Sequence, residues 1–120
     1  MARRAAVHRW MEMTVDTPMP LLERRRVIGE RMMISRVLLK KGCDVPLHSH
    51  ENEQFALVLS GKVRFGLGRP GDPDRCEVVV NAGEVLHLPG NVAHSAFALE
   101  ETLILDMFSP ISETTGIDRG

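Results

Sequence analysis

The chain has 120 residues, a formal net charge of −1 and a hydrophobic fraction of 43%. That length reads as one domain, 1–120, able to bury roughly 65% of its unfolded surface. Basic residues are not gathered into a long run, no apolar stretch is long enough to span a bilayer, and residues 1–10 lack the apolar centre of a signal peptide. The expected protein is therefore cytoplasmic, with neither a nucleic acid nor a membrane as partner.

Residues 1–23 read as an N-terminal arm, with His8 a surface or packing histidine. Leu21 to Ile28 fits neither strand nor helix on pattern alone, and its Arg24-Arg25-Arg26 cluster reads as a solvated strand edge. From Met32 on, short apolar or alternating runs are separated by Gly, Pro, Asn and Asp, the pattern of an all-β sandwich or barrel. The runs are Met32 to Leu39, Gln54 to Ser60, Val63 to Leu67, Cys76 to Val80, Val85 to Leu88, His94 to Leu99 and Thr102 to Phe108. Gly66 to Asp74, with three glycines and two prolines, reads as a loop between paired strands.

Two half-motifs carry the chemistry: His48-x-His50-x-x-x-Gln54 and Pro89-x-x-x-x-His94. His48, His50 and Gln54 share even parity, so on an extended strand their side chains can point the same way. Glu53 has odd parity and points away, leaving Gln54 as the oxygen ligand. Imidazole and amide ligands suit one divalent transition-metal ion per chain, whether Zn, Ni, Fe, Mn or Cu. Ala56, Val58, Ala96 and Ala98 share parity with neighbouring ligands and are small enough to leave room for a bound molecule. His87 has parity opposite to His94 and reads as structural or rim-facing. Cys43 and Cys76 form no disulfide framework and read as two free thiols, Cys43 being out of parity with the ligands.

Asp106 interrupts the apolar run Leu103-Ile104-Leu105 with a carboxylate, and an isolated buried carboxylate is costly. Either an arginine or backbone amides satisfy it, or it faces the metal as a general acid or base. Phe55, Leu57 and Leu59 make a second apolar row opposite the ligand face, which calls for a covering layer and so for a homodimer.

Glycine spacing unites the two half-motifs. Gly42 lies upstream of His48, Gly61 downstream of Gln54, and Gly83 precedes Pro89. From about Arg24 to Phe108 this resembles the two-motif signature of the cupin superfamily. The resemblance implies a single jelly-roll β-barrel, or double-stranded β-helix, with a core of about 24–108 and a tail at 109–120. It also makes Leu21 to Ile28 a strand, and it too implies a homodimer. The chain departs from the signature at Gln54, where Glu is usual, and at Asn91 and Ala98, where Gly and Asn are usual.

With the Asp-x-Phe-Ser-Pro run Asp106 to Pro110, the pattern resembles the small cupins of the pectin-degradation family, which open unsaturated uronate rings to linear keto-uronates. That resemblance implies metal ligation by His48, His50, Gln54 and His94, proton transfer by Asp106 and a sugar-binding wall at Phe108. The family's carboxylate-gripping arginine is matched by Ser112, leaving Arg36 or Arg64 as substitutes. The function expected is a metal-dependent small-molecule enzyme acting on an oxygen-rich sugar acid or related metabolite: isomerase, cyclase, lyase or dioxygenase. The alternative is a non-catalytic metal-dependent module that binds or senses a small ligand. No DNA-binding helical segment accompanies the barrel.

Overall fold

The computed structural model describes residues 4–112. After a 3-10 turn at Trp10–Glu12, ten strands follow: β1 (Asp16–Met19), β2 (Leu22–Ile28), β3 (Met33–Leu39), β4 (Asp44–His48), β5 (Glu53–Ser60), β6 (Lys62–Leu67), β7 (Cys76–Asn81), β8 (Val85–Leu88), β9 (His94–Ala98) and β10 (Thr102–Ser109). They form a six-stranded sheet, β1-β2-β3-β10-β5-β8, and a four-stranded one, β4-β9-β6-β7. From β3 onward every connection except the β6–β7 hairpin crosses between the sheets, which is jelly-roll topology.

Alternation decides which side chains meet. Along β3 the residues are buried and half-buried by turns, and β10 follows the same rhythm up to Phe108. Cross-strand register stacks these inward positions into rows on the large sheet. One row is Leu22, Leu39, Thr102 and the next is Arg24, Val37, Ile104, Val58. Then come Arg26, Ser35, Asp106, Ala56 and finally Ile28, Met33, Phe108, Gln54, Leu88. The core cluster joins the aliphatic rows to Val63, Phe65, Val80, Ala96 and Ala98 from the smaller sheet.

The strands read from sequence recur with ends shifted by one residue or less, except that two strands have no counterpart there. These are β1 and β4, each carrying a proline, Pro18 and Pro46. Both lie at a sheet edge, where a missing N–H costs no ladder bond. The loop expected at Gly66 to Asp74 begins later, because Gly66 and Leu67 belong to β6. A Cβ at Gly66 would come within 2.6 Å of Ser95 Oγ, so its lack of a side chain serves close packing there.

The arginine cluster is not a solvated edge. Strand β2 lies between β1 and β3. Arg24 points inward, is 4% exposed and donates through Nη2 to Asp16 Oδ2 at 2.6 Å. Partial burial acts to raise the pKa of Asp16, but hydrogen bonding to Arg24 and the charges of Arg24 and Arg26 outweigh it and hold the carboxyl below its usual range.

Candidate metal centre

Two loops at one end of the barrel bring the motif residues together. Strand β4 ends at His48, directly opposite His94 at the start of β9. The chain then bends through Ser49–Asn52 before β5 opens at Glu53. His48, His50 and Gln54 therefore do not share one extended strand, contrary to the parity reading: they converge from a strand end, a bend and a second strand. The facing loop is clamped to this bend by Asn91, whose N–H donates to His50 O at 2.8 Å. Asn91 has φ 68°, a left-handed conformation that asparagine tolerates better than most residues. At Gly90 a Cβ would sit 2.6 Å from the Glu51 carbonyl oxygen, so this close approach needs glycine.

The three imidazoles face one another. Ring centroids are 4.3 Å apart for His48 and His94, 5.1 Å for His50 and His94, and 5.9 Å for His48 and His50. One nitrogen from each lies within 4.8 Å of the others. Each Nδ1 has a backbone carbonyl beside it: Pro46 O at 2.8 Å for His48, Asn52 O at 3.1 Å for His50 and Val92 O at 2.9 Å for His94. A carbonyl only accepts, so each Nδ1 carries a proton, which leaves Nε2 as the nitrogen whose lone pair a metal ion would take. Burial pushes the pKa of His94 down to about 4 and lowers that of His48, which keeps both rings neutral near pH 7.

Gln54 adds a fourth acceptor. Its Nε2 donates to Asp106 Oδ1 at 2.9 Å, which turns Oε1 toward His50 Nε2 at 3.1 Å. With Nδ1 of His50 donating to Asn52, a ring carrying that one proton would face Gln54 Oε1 lone pair to lone pair, an arrangement that a cation between them would relieve. Three imidazole nitrogens and an amide oxygen thus form a donor set fit for a divalent transition metal.

Asp106 and Phe108, both buried, line one cavity with His48, Gln54 and His94. Burial raises the Asp106 pKa to about 7, with the Gln54 hydrogen bond acting against the rise. Such a carboxyl can give or take a proton at neutral pH. Phe108 stands edge-on to His50 with centroids 5.6 Å apart. The remaining wall is apolar, formed by residues such as Val37, Val45, Phe65 and Ile104, and the cavity is only about 40 Å³.

Of the four small residues expected around the ligands, Ala96 lines this cavity, while Ala56, Val58 and Ala98 pack in the core. Neither Arg36 nor Arg64 enters the site. Arg36 lies in the outward row with Arg25 and Leu105. Arg64 stacks on the outer-face ring of Phe97 at 5.1 Å, with Nε 4.0 Å from Glu77. Both sit on outward strand positions, since Ser35 and Val37, and Val63 and Phe65, are their buried neighbours. His87 points outward, 2.7 Å from Glu53 and beside Phe55. Cys43 is buried, with burial raising its thiol pKa, and Cys76 is exposed; both are free.

One contributor was not read from sequence. Asn52 is buried, its carbonyl accepts from His50, and its side-chain amide donates to the carbonyl of Pro110. An Asn in a short bend between two strands was the available signal, because such side chains commonly satisfy nearby backbone.

A cupin domain family model matches residues 35–108, spanning both ligand loops and the strand that carries Asp106. The chain belongs to the cupin family. Among solved structures this cupin is similar to an RmlC-like cupin from Shewanella frigidimarina, with TM-score 0.80 and 21% identity over 94% of this chain and 97% of that one. It is similar to KdgF from Halomonas sp., with TM-score 0.80 and 23% identity over 92% of this chain and 97% of the other. Oxalate decarboxylase from Bacillus subtilis aligns with TM-score 0.79 and 20% identity, over 94% of this cupin and 32% of the decarboxylase. At these identities the likeness concerns the fold. A search of curated proteins finds no match. Among the described residues no helix is long and apolar enough to cross a membrane.

Proposed function

We propose that this cupin is a metal-dependent small-molecule enzyme that binds one divalent transition-metal ion through His48, His50, Gln54 and His94 and acts on an oxygen-rich sugar acid or a related metabolite. The observation that carries the reading is four inward lone pairs set beside a buried carboxyl whose pKa is raised to about 7. A bound ion supplies Lewis acidity toward ligand oxygens. Asp106 then moves the proton, Gln54 holds Asp106 in place, and Phe108 walls one side. Opening of an unsaturated uronate ring is the leading specific reaction, supported by the run Asp106 to Pro110 and by the fold shared with KdgF. The reading also includes a cytoplasmic location and a second copy of the chain as partner. Manganese is among the candidate ions, since Mn(II) centres occur in the oxalate decarboxylase of Bacillus subtilis.

Elemental analysis of untagged protein, followed by turnover assays on unsaturated uronates and then on smaller hydroxy- and keto-acids, tests the proposal. Asp106→Asn keeps the shape and removes the titratable proton. It should leave metal content intact and lower turnover by about 10²-fold, the usual scale of general acid or base catalysis. Equal turnover would remove Asp106 from the mechanism. The second reading, a non-catalytic module, is favoured by the hydrogen bond that already engages Asp106 and by the small cavity. No turnover by the metallated parent, with ligand binding retained, would put it ahead.

A further inference from the structure

One inward row of the large sheet is polar across three strands. Arg26 of β2 stands opposite Ser35 of β3, and Ser35 stands opposite Asp106 of β10. The rows on either side place Val37 and Ile104, or Met33 and Phe108, at the same β3 and β10 positions. Ser35 is 2% exposed, and among the described residues no hydrogen bond engages its hydroxyl. A buried hydroxyl so placed is costly unless an oxygen or nitrogen meets it. Asp106 bonds Gln54 through Oδ1. Direct cross-strand neighbours have Cβ atoms roughly 4.5–5.5 Å apart, so one ligand oxygen can meet both the Ser35 hydroxyl and the Asp106 carboxyl.

Beyond Ser35 the row ends in a groove of about 310 Å³ lined by Met13, Thr14, Asp16, Arg24, Arg26 and Ile28. Strand β2 borders both spaces, because its Leu22 lines the cavity that Asp106 and His94 line. The two arginines of the groove differ. Arg24 is 4% exposed and grips Asp16 with Nε at 3.1 Å and Nη2 at 2.6 Å. Arg26 is 22% exposed, and its Nη2 lies 3.7 Å from the same carboxylate. Arg24 thus fixes Asp16, and Asp16 steers Arg26. A guanidinium carries five N–H donors and serves more than one acceptor, so contact with Asp16 is compatible with a bound carboxylate.

We infer that this row orients an acidic ligand: Arg26 takes its carboxylate, Ser35 takes one of its hydroxyls, and Asp106 lies at the reacting end. The inference rests on the sugar-acid reading above and names the residues that select the acid over the neutral sugar. Two strand spacings, roughly 9.6 Å, separate β2 from β10. That span suits one monosaccharide acid once the side chains at both ends are counted.

Calorimetric titration of the metallated full chain with galacturonate and with galactose, which differ at one carbon, tests the row. The parent should bind galacturonate more tightly, and a parent without that preference would overturn the row. Arg26→Gln should weaken galacturonate by 10-fold or more, with galactose binding and metal content at the parent's level. A preference that survives Arg26→Gln would leave the carboxylate to the metal and overturn the anchor. Should that variant fail to fold, Arg26→Lys keeps a cation beside Asp16 but lacks the planar fork. It should weaken galacturonate and spare galactose, and unchanged binding of both would overturn the anchor equally. Ser35→Ala should weaken both sugars alike, by about 10-fold or less, the scale of one hydrogen bond; unchanged affinities would strike Ser35 from the row. Turnover separates this inference from the function it rests on. An unchanged KM for an unsaturated uronate in Arg26→Gln would overturn the row and keep the enzyme, whereas a metallated parent that neither binds galacturonate nor turns over any acid would overturn both.

Discussion

Within the large sheet, the same strands serve two chemically different ends of one interior. Toward Leu22, Leu39 and Thr102 the interior is aliphatic, with Leu22 and Leu39 closing the inner end of the cavity that the histidines open and Cys43, Val58, Val63 and Ala98 fully buried alongside. A few residues along β10, the row of Asp106 and the row of Phe108 and Gln54 face the histidines instead. The first end gains free energy from apolar burial. The second spends some of it: Asp106 is carried into a site that raises its pKa to about 7, and four acceptors are aimed at one another. Stability and chemistry are thus separated along the strands rather than between them.

The largest expected effect breaks the comparison from the site end. His50→Ala should abolish stoichiometric metal by elemental analysis, yet leave the unfolding midpoint of the metal-free protein close to the parent's. A collapse of the fold would show that the histidines also hold the barrel together.

From the closed end, Leu39→Ala should cost about 2–5 kcal/mol in denaturant unfolding, the range for buried Leu truncations, while metal stoichiometry is retained. Loss of metal in a folded Leu39→Ala protein would mean that the two ends are coupled.

A smaller effect sharpens the contrast by placing a methyl group where backbone meets backbone. Gly90→Ala puts a Cβ against the Glu51 carbonyl and should weaken metal binding on the order of 10-fold, the lower bound for disturbed ligand support. Competition with a chromophoric chelator reads it, and an unchanged affinity would show that the loop yields without moving His50.

The least expected effect lies on the boundary row, where Arg24 is buried with Asp16. The folded-state pKa of Asp16 lies below the ordinary carboxylate value of 3.8. Its contribution is therefore present above pH 3.8 and is lost as pH falls through the lower folded value. Asp16→Asn should flatten that acid limb and cost about 1 kcal/mol or less at neutral pH, given the exposure of the carboxylate. A steep acid limb in the variant would assign the transition to other carboxylates.

Sequence showed the strands of the core and the ligand types because alternation and short spacings are local properties. It did not show β1 and β4, whose prolines are tolerated only because the sheet leaves them at edges. It put His48, His50 and Gln54 on one straight strand because parity counts residues and cannot see the bend at Ser49–Asn52. The same arithmetic applied to Arg24 would have placed it inside with Leu22, but a run of three arginines suggested solvent. Arg36 and Arg64 were named because the arginine expected at Ser112 is absent, and their outward positions follow from the buried neighbours on each strand. Asp106 was conspicuous by its charge, whereas its bond to Gln54 joins positions 52 residues apart and has no local trace.

The carbonyls of Pro46, Asn52 and Val92 each lie two residues from the histidine they orient. Each ring is therefore aimed by its own tripeptide, while the cavity wall comes largely from other strands, through Val37, Phe65 and Ile104. The site can consequently be recarved without being dismantled. Exchange of those wall residues for smaller or polar ones would alter which molecule fits beside the imidazoles while their aim is inherited unchanged, a division of labour that suits this barrel to divergence by drift and to deliberate redesign.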